Sequence, residues 1–340
     1  MNWLKSFGAF LFLGIICVIA YWDIAFLNDT LKWDMLDCYY PWRYFVGECV
    51  QNRVFPYWNP YQHFGYPIHA DMRSVFYPEA LLVGLFGGYD LKVFQFLFIF
   101  YISMAGLGMY RLASCFVKSD VAALTVAAGY ILSGFFIGHG QELAGIIGAC
   151  WIPWVLYYFI RFQGTLSWAH LWWLSLFLFL QLTGGYQALS LILFYLLVLL
   201  WSVAVFERKE GLEPRTWTKI LGMNAALAVL IILSLSALVV TYVQVSPQVE
   251  RLTGLTLTEA YIGLVSPRAL ISLLTPFSVT VDAAFLGTNV TMANVYVGVI
   301  ILALALIGLF VRKGATLWVL VVFGVVSFMA SLGPVTPVRE

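Results

Sequence analysis

The residues of this chain best suited to chemistry are three carboxylates set among aromatic side chains: Asp34 and Asp37 in W-D-M-L-D-C-Y-Y-P-W-R, and Asp71 in G-Y-P-I-H-A-D-M-R-S-V-F-Y-P. They follow a hydrophobic segment and so lie near a low-dielectric boundary, where a carboxylate is costly unless it is used or paired. A used carboxylate takes up a proton or ligates a cation. A paired one forms a structural salt bridge, for which Arg43, Arg53 and Arg73 are close in sequence. Trp33, Trp42, Trp58, Tyr39, Tyr40, Tyr57, Tyr61 and Tyr66 crowd the same stretch. Membrane anchoring at headgroup depth explains such rings, but it does not explain the acids.

The elements that position these residues follow from composition. Apolar residues make up 62% of the chain and charged residues 10%, with a mean hydropathy of +0.90, far from a soluble globular mixture. A bilayer-spanning helix needs about 20 mainly apolar residues. Runs at 7–27, 93–117, 121–138, 143–162, 168–183, 188–206, 220–243, 293–311 and 315–329 predict about nine transmembrane helices, the fifth being short. Residues 1–340 thus read as a single all-α, polytopic transmembrane domain. The net charge of +1 offers no basic surface for nucleic acid.

Short cytoplasmic loops collect Lys and Arg. With Lys5 inside, the next inner connections hold Arg111 and Lys118, then Arg161, then Arg208, Lys209, Arg215 and Lys219, then Arg312 and Lys313. This predicts a cytoplasmic N-terminus and two long extracytoplasmic loops, 28–92 and 244–292, which carry most of the acids. No A-x-A-like site follows the first apolar run, and Cys17 is preceded by Ile15 and Ile16, so the run reads as an uncleaved anchor.

Within the first loop, Tyr44, Phe45, Val46, Cys49, Val54 and Phe55 form an apolar stripe opposite Arg43, Glu48, Gln51 and Asn52, which predicts an amphipathic helix on the membrane surface. A helix over 40–50 would separate Cys38 and Cys49 by about 16 Å, too far for a disulfide. A second interfacial helix is expected over 77–86, beginning at Pro78.

The order D-M-L-D-C-Y-Y-P-W-R, F-P-Y-W-N-P-Y and F-G-Y-P-I-H-A-D-M-R-S-V-F-Y-P resembles the first extracytoplasmic loop of the bacterial YfhO-like membrane proteins, relatives of the GT-C glycosyltransferases. S-G-F-F, W-I-P-W at 151–154, G-G-Y-Q at 184–187, S-P-R-A-L-I-S-L-L-T-P at 266–276 and Y-V-G at 296–298 fall in the family's order, so the resemblance covers essentially the whole chain. The family typically continues past a segment like L-G-P-V-T-P, here 332–337, which implies a C-terminally truncated member.

The resemblance implies a GT-C-like fold in a bacterial cytoplasmic membrane and transfer of a sugar from a polyprenyl-phosphate carrier to a glycan or lipid acceptor of the cell envelope. Asp34 occupies the position of the family's first-loop acid and is the candidate base. Asp71 matches the second acid, where it could orient the acceptor, assist Asp34 or ligate a divalent cation. Asp37 stands where relatives more often carry an uncharged residue. A departing lipid phosphate needs cationic donors, and Arg73, Arg251 and Arg268 are candidates. His139, Glu142 and Gln187 are candidate pocket residues, although a lone His is more often structural.

No phosphate loop, H-E-x-x-H or zinc-spaced cysteine pair is present in the sequence. G-L-G-M-Y at 106–110 lies within a span and reads as helix packing through small residues. A lipid or glycolipid flippase or transporter is the main alternative, and a noncatalytic envelope-assembly subunit a third. Coupled transporters place ionisable groups near the bilayer midplane, whereas here the span centres hold no Asp, Glu, Lys or Arg.

Overall fold

The computed structural model describes residues 3–62, 64–70, 75–207, 214–248, 263–279, 293–311 and 314–335. Among them the regular structure is helical, with one isolated bridge between Asn59 and Tyr66. The principal helices are α1 (Trp3–Ala20), α2 (Tyr40–Gln51), α3 (Pro78–Leu85), α4 (Leu91–Ala113), α5 (Asp120–Ile131), α6 (Leu143–Thr165), α7 (Trp168–Gly184), α8 (Gln187–Glu207), α9 (Pro214–Val245), α10 (Val299–Val311) and α11 (Ala315–Ser331).

Among the described residues six segments are long and apolar enough to cross a membrane: α1, α4, Asp120–Gln141 (α5 with the short turns that follow it), α6, α8 and Thr216–Gln248. These coincide with six of the nine apolar runs. The other three correspond to shorter helices, α7 and α11 of 17 residues each and α10 of 13. At 1.5 Å per residue they reach only about 20–26 Å, less than a hydrocarbon core of about 30 Å.

The bundle has a centre and a rim. In α6, 72% of the most apolar window is buried, against 6% for α8 and for Thr216–Gln248. The two outer helices therefore turn their Leu, Ile and Val side chains outward, as a lipid environment requires. On the inner side, α4 buries Phe94, Phe98, Ile102 and Ala105 and meets α6 through Tyr101, edge-on to Trp151 at 6.3 Å, and through the Met104 oxygen, which accepts from Trp154 Nε1 at 2.9 Å. Small residues let the neighbours of α4 close in: a Cβ on Gly108 would lie 2.6 Å from the Trp154 ring of α6, and one on Gly106 3.1 Å from Ile131 of α5.

Pro153 stands inside α6 and has no N–H to donate to the carbonyl four residues earlier. The Tyr130 hydroxyl from α5 donates to that carbonyl, on Ala149, at 2.8 Å. The orphaned acceptor is thus satisfied within the protein, as the bilayer interior demands. Gln163 Nε2 donates to Asn224 Oδ1 at 2.9 Å and ties α6 to α9.

At the end opposite the first loop, Lys5 pairs with Asp120 at 2.7 Å. At the loop end, Gln95 donates to the backbone oxygen of Asp29 at 2.7 Å and fixes where the chain leaves α1.

Candidate functional site

The first loop is seated on the bundle by a buried charge cluster. Arg43 of α2, 1% exposed, lies with Nε 3.6 Å from a Glu79 carboxylate oxygen of α3. Tyr101 of α4 donates to Glu79 at 3.2 Å, and the Tyr89 hydroxyl donates to the same carboxylate. The guanidinium sits 5.4 Å from the Tyr77 ring centroid, and Trp151 of α6 donates to the Tyr77 hydroxyl at 3.0 Å. Gly184, at the end of α7, leaves room for that ring: a Cβ there would come within 2.5 Å of it.

Electrostatics keep this cluster in one state. Burial alone would pull the Arg43 guanidinium down, but Glu79 heads the groups that outweigh it, so the ion is held firmly charged. Burial, and then the negative charge of Glu79, push the Tyr77 and Tyr89 phenols well above their ordinary range. Both phenols therefore remain neutral, Tyr89 as a donor to Glu79 and Tyr77 as an acceptor from Trp151.

This cluster revises the expected orientation of the first amphipathic helix. α2 forms over the expected residues, but its inner face is Trp42, Arg43, Val46 and Gly47. Arg43, assigned to the solvated side, lies at the centre of the buried one because Glu79 and the tyrosines supply its partners. The helix packs against α3, where a Cβ on Gly84 would lie 2.9 Å from Val50. α3 begins at Pro78, as the position of that proline predicts.

Just before α2 the chain makes a π-helical turn, Met35–Tyr39, that runs straight into the helix. Met35 and Tyr39 are buried and hold the turn against the core, with Tyr39 edge-on to Trp42 at 5.4 Å. Asp34 and Asp37 point away and are exposed. Asp34 precedes the turn, follows Trp33 in the left-handed region (φ 53°), and makes no side-chain capping bond. Single π turns are frequent at functional sites.

Beside this turn lies an open groove of about 710 Å³. One wall is the outward face of α2, with Tyr40, Tyr44, Glu48 and Asn52 at helical spacing. The other is the segment carrying Asn59, Tyr61 and Gln62. Asn59 builds this second wall: 1% exposed, it accepts from the Tyr61 N–H at 3.0 Å, donates to Gln62 Oε1 at 3.1 Å and pairs through its backbone with Tyr66. The fold-back needs left-handed backbone at Phe64 (φ 58°) and Gly65 (φ 95°), and a Cβ on Gly65 would meet the Trp58 ring at 2.7 Å. Gln62 Nε2 reaches the Asp37 backbone oxygen at 3.4 Å and joins the groove to the acidic turn. Exposed tyrosine faces beside a carboxylate and amides match the mixed apolar and hydroxyl surface of a sugar.

The remaining expected site residues lie apart from this groove or outside the described residues. His139 is buried, stacked on Phe135 at 3.9 Å, with Nδ1 donating to the Phe135 oxygen at 3.1 Å. Glu142 stands at the N-cap position of α6 and makes no side-chain capping bond there. Gln187 opens α8 and is exposed, and Arg268 is exposed in the short helix Pro267–Leu273. Asp71, Arg73 and Arg251 lie outside the described residues. Among the described residues no group of three His, Cys, Asp or Glu side chains gathers to hold a metal ion. The cation role considered for Asp71 falls outside them as well.

Sequence reasoning missed Glu48, Asn52, Tyr44, Tyr61 and Gln62 as site residues. The available signals were the shared helical spacing of Tyr44, Glu48 and Asn52 and the turn punctuated by Pro56, Pro60, Gly65 and Pro67, but the pairing of the two walls depends on the fold-back at 59–66.

No family model, curated protein or solved structure matches this chain. The fold itself defines a multi-pass helical membrane protein with a structured polar loop seated at one end of its bundle.

Proposed function

We propose that this protein is a membrane glycosyltransferase of GT-C-like architecture that moves a sugar from a polyprenyl-phosphate donor to a cell-envelope acceptor on the extracytoplasmic side. In this reading the three shorter helices also cross, giving nine spans, and the N-terminus is cytoplasmic. The observation that carries the proposal is the groove of about 710 Å³ beside the Asp34–Asp37 turn, at the loop end of an apolar bundle. A donor with its tail in lipid and its sugar in water presents its anomeric carbon at that level.

The acceptor lies in the groove, its ring against Tyr44 and Tyr61 and its hydroxyls on Glu48, Asn52 and Gln62. Asp34 takes the proton from the attacking acceptor hydroxyl. The oxygen forms the new bond to the anomeric carbon as the carbon–oxygen bond to phosphate breaks, and polyprenyl phosphate leaves with the electron pair. Arg268, together with Arg73 and Arg251, is the candidate set to meet the charge on that phosphate.

Proteoliposomes holding the protein, a radiolabelled polyprenyl-phosphate sugar and envelope acceptors test the reading. Label in the acceptor, with free polyprenyl phosphate released, supports transfer. Intact labelled carrier moved to the opposite leaflet would make the protein a flippase instead.

A further inference from the structure

A second polar site lies at the other end of the bundle, where α4 leaves the core and α6 ends. Arg111 of α4 and Arg161 of α6 line one polar pocket of about 640 Å³, together with Ser114, Tyr157 and Thr165. Among the described residues no carboxylate lines it. Asp120, the acid at the start of α5, is engaged by Lys5 at 2.7 Å and by the Tyr110 hydroxyl at 3.2 Å. The buried Nε of Arg111 finds no hydrogen-bond partner among the described residues. Two guanidiniums in one pocket repel each other unless an anion lies between them, and the phosphate geometry suits their forked donors.

The surroundings define the anion further. An apolar groove of about 330 Å³, walled by Leu112, Phe116, Leu156, Phe159 and Leu200, abuts the pocket. Ile160 and Gly164 line both cavities, so the two are immediate neighbours. Glu207 stands in the apolar groove's lining and does not line the arginine pocket. A basic pocket side by side with an apolar groove on a lipid-facing surface suits a phospholipid: phosphate on the arginines, acyl chain along the leucines and phenylalanines.

We propose that Arg111 and Arg161 form a binding site for the phosphodiester of an anionic phospholipid in the leaflet at the basic end of the protein. Bound there, the lipid fastens α4 to α6 at the end opposite the catalytic loop. The site is independent of the transfer reaction and stands whether or not that reaction occurs.

Native mass spectrometry of the purified protein, mixed with equal amounts of dioleoyl phosphatidylglycerol and dioleoyl phosphatidylcholine, tests the proposal. The expected result is retention of phosphatidylglycerol over phosphatidylcholine by about thirtyfold, the factor for two basic groups acting on one anionic headgroup. The preference should fall towards parity in R111Q/R161Q. It should persist in K118Q, which removes an exposed cation at the same end that does not line the pocket. Glycerol phosphate, the headgroup without chains, should not displace the lipid. Parity in the wild type, an equal loss in K118Q, or displacement by glycerol phosphate or inorganic phosphate would each overturn it, the last in favour of a soluble-anion site. The wild-type preference and its competition are read on unmodified protein, so they decide the matter even if the double variant does not fold.

Discussion

Arg43 and Glu79 meet at 3.6 Å beneath the surface, joining α2 to α3 under a cover of tyrosines from three segments. The pair is nearly dry, with side chains 2% and 12% exposed. Removing one member leaves the other charge buried without its counterion. R43M should therefore lower stability by about 3–5 kcal/mol. R43M/E79L, which removes both charges, should recover most of that loss. Thermal unfolding in detergent checks both. Equal losses in the single and double variants would show that the ring contacts, not the charge pair, hold the loop.

Tyr89 links the same cluster to alkaline stability. Its phenol is held above the ordinary value of 10.0 by burial and then by Glu79. A raised folded pKa means that the stabilisation is fully present below the unfolded value and is lost as pH rises past about 10 towards the folded pKa. The unfolding temperature should thus fall above about pH 10, and the fall should be shallower in Y89F. Near neutral pH, Y89F loses a hydrogen bond to a charged group, worth about 1.5–3 kcal/mol. Unfolding scans from neutral to alkaline pH read both effects.

The Tyr130 hydroxyl answers the carbonyl that Pro153 cannot reach. Y130F should cost about 1–3 kcal/mol by leaving that acceptor unsatisfied. In a P153A background the helix supplies its own N–H, so the same Y130F change should cost much less. A double-mutant cycle by thermal unfolding measures the difference, and additive losses would deny the link.

In the groove, Tyr44 and Tyr61 offer exposed ring faces on opposite walls. Y44A and Y61A should each weaken acceptor binding about tenfold, the effect of losing roughly 1.5 kcal/mol of ring contact, and leave the rate at saturation nearly unchanged. Steady-state kinetics against acceptor concentration separate the two parameters. A fall in kcat with KM intact would place the rings at the reacting centre.

Much of this architecture is legible in the sequence because its causes are local. Apolar runs of sufficient length mark α1, α4, α6 and α8, and Pro78 marks the start of α3. The face of α2 is not legible, since a lone arginine in an amphipathic pattern reads as solvated until its partner is known. That partner, Glu79, lies beyond a turn-rich stretch with no periodicity. P-W-R, F-Y-P, W-I-P-W and G-G-Y-Q can each be picked out along the chain. Their meeting around Tyr77 is tertiary, created by the fit of that ring against Gly184 and Trp151. The groove is hidden for a similar reason: one wall follows helix periodicity, while the other depends on left-handed backbone at Phe64 and Gly65. Asp34 is legible as an acid among aromatics, and its exposure depends on the anchoring of Met35 and Tyr39 on either side of Asp37.

The central claim, a carboxylate at the loop end that deprotonates an acceptor, is tested most directly by measuring sugar transfer by the wild type, D34N and E48Q under single-turnover conditions. The account predicts that D34N loses at least about a hundredfold in the rate of the chemical step with acceptor affinity retained, while E48Q weakens affinity and keeps most of the rate. Equal chemical rates in the wild type and D34N would contradict the account and remove Asp34 from the mechanism.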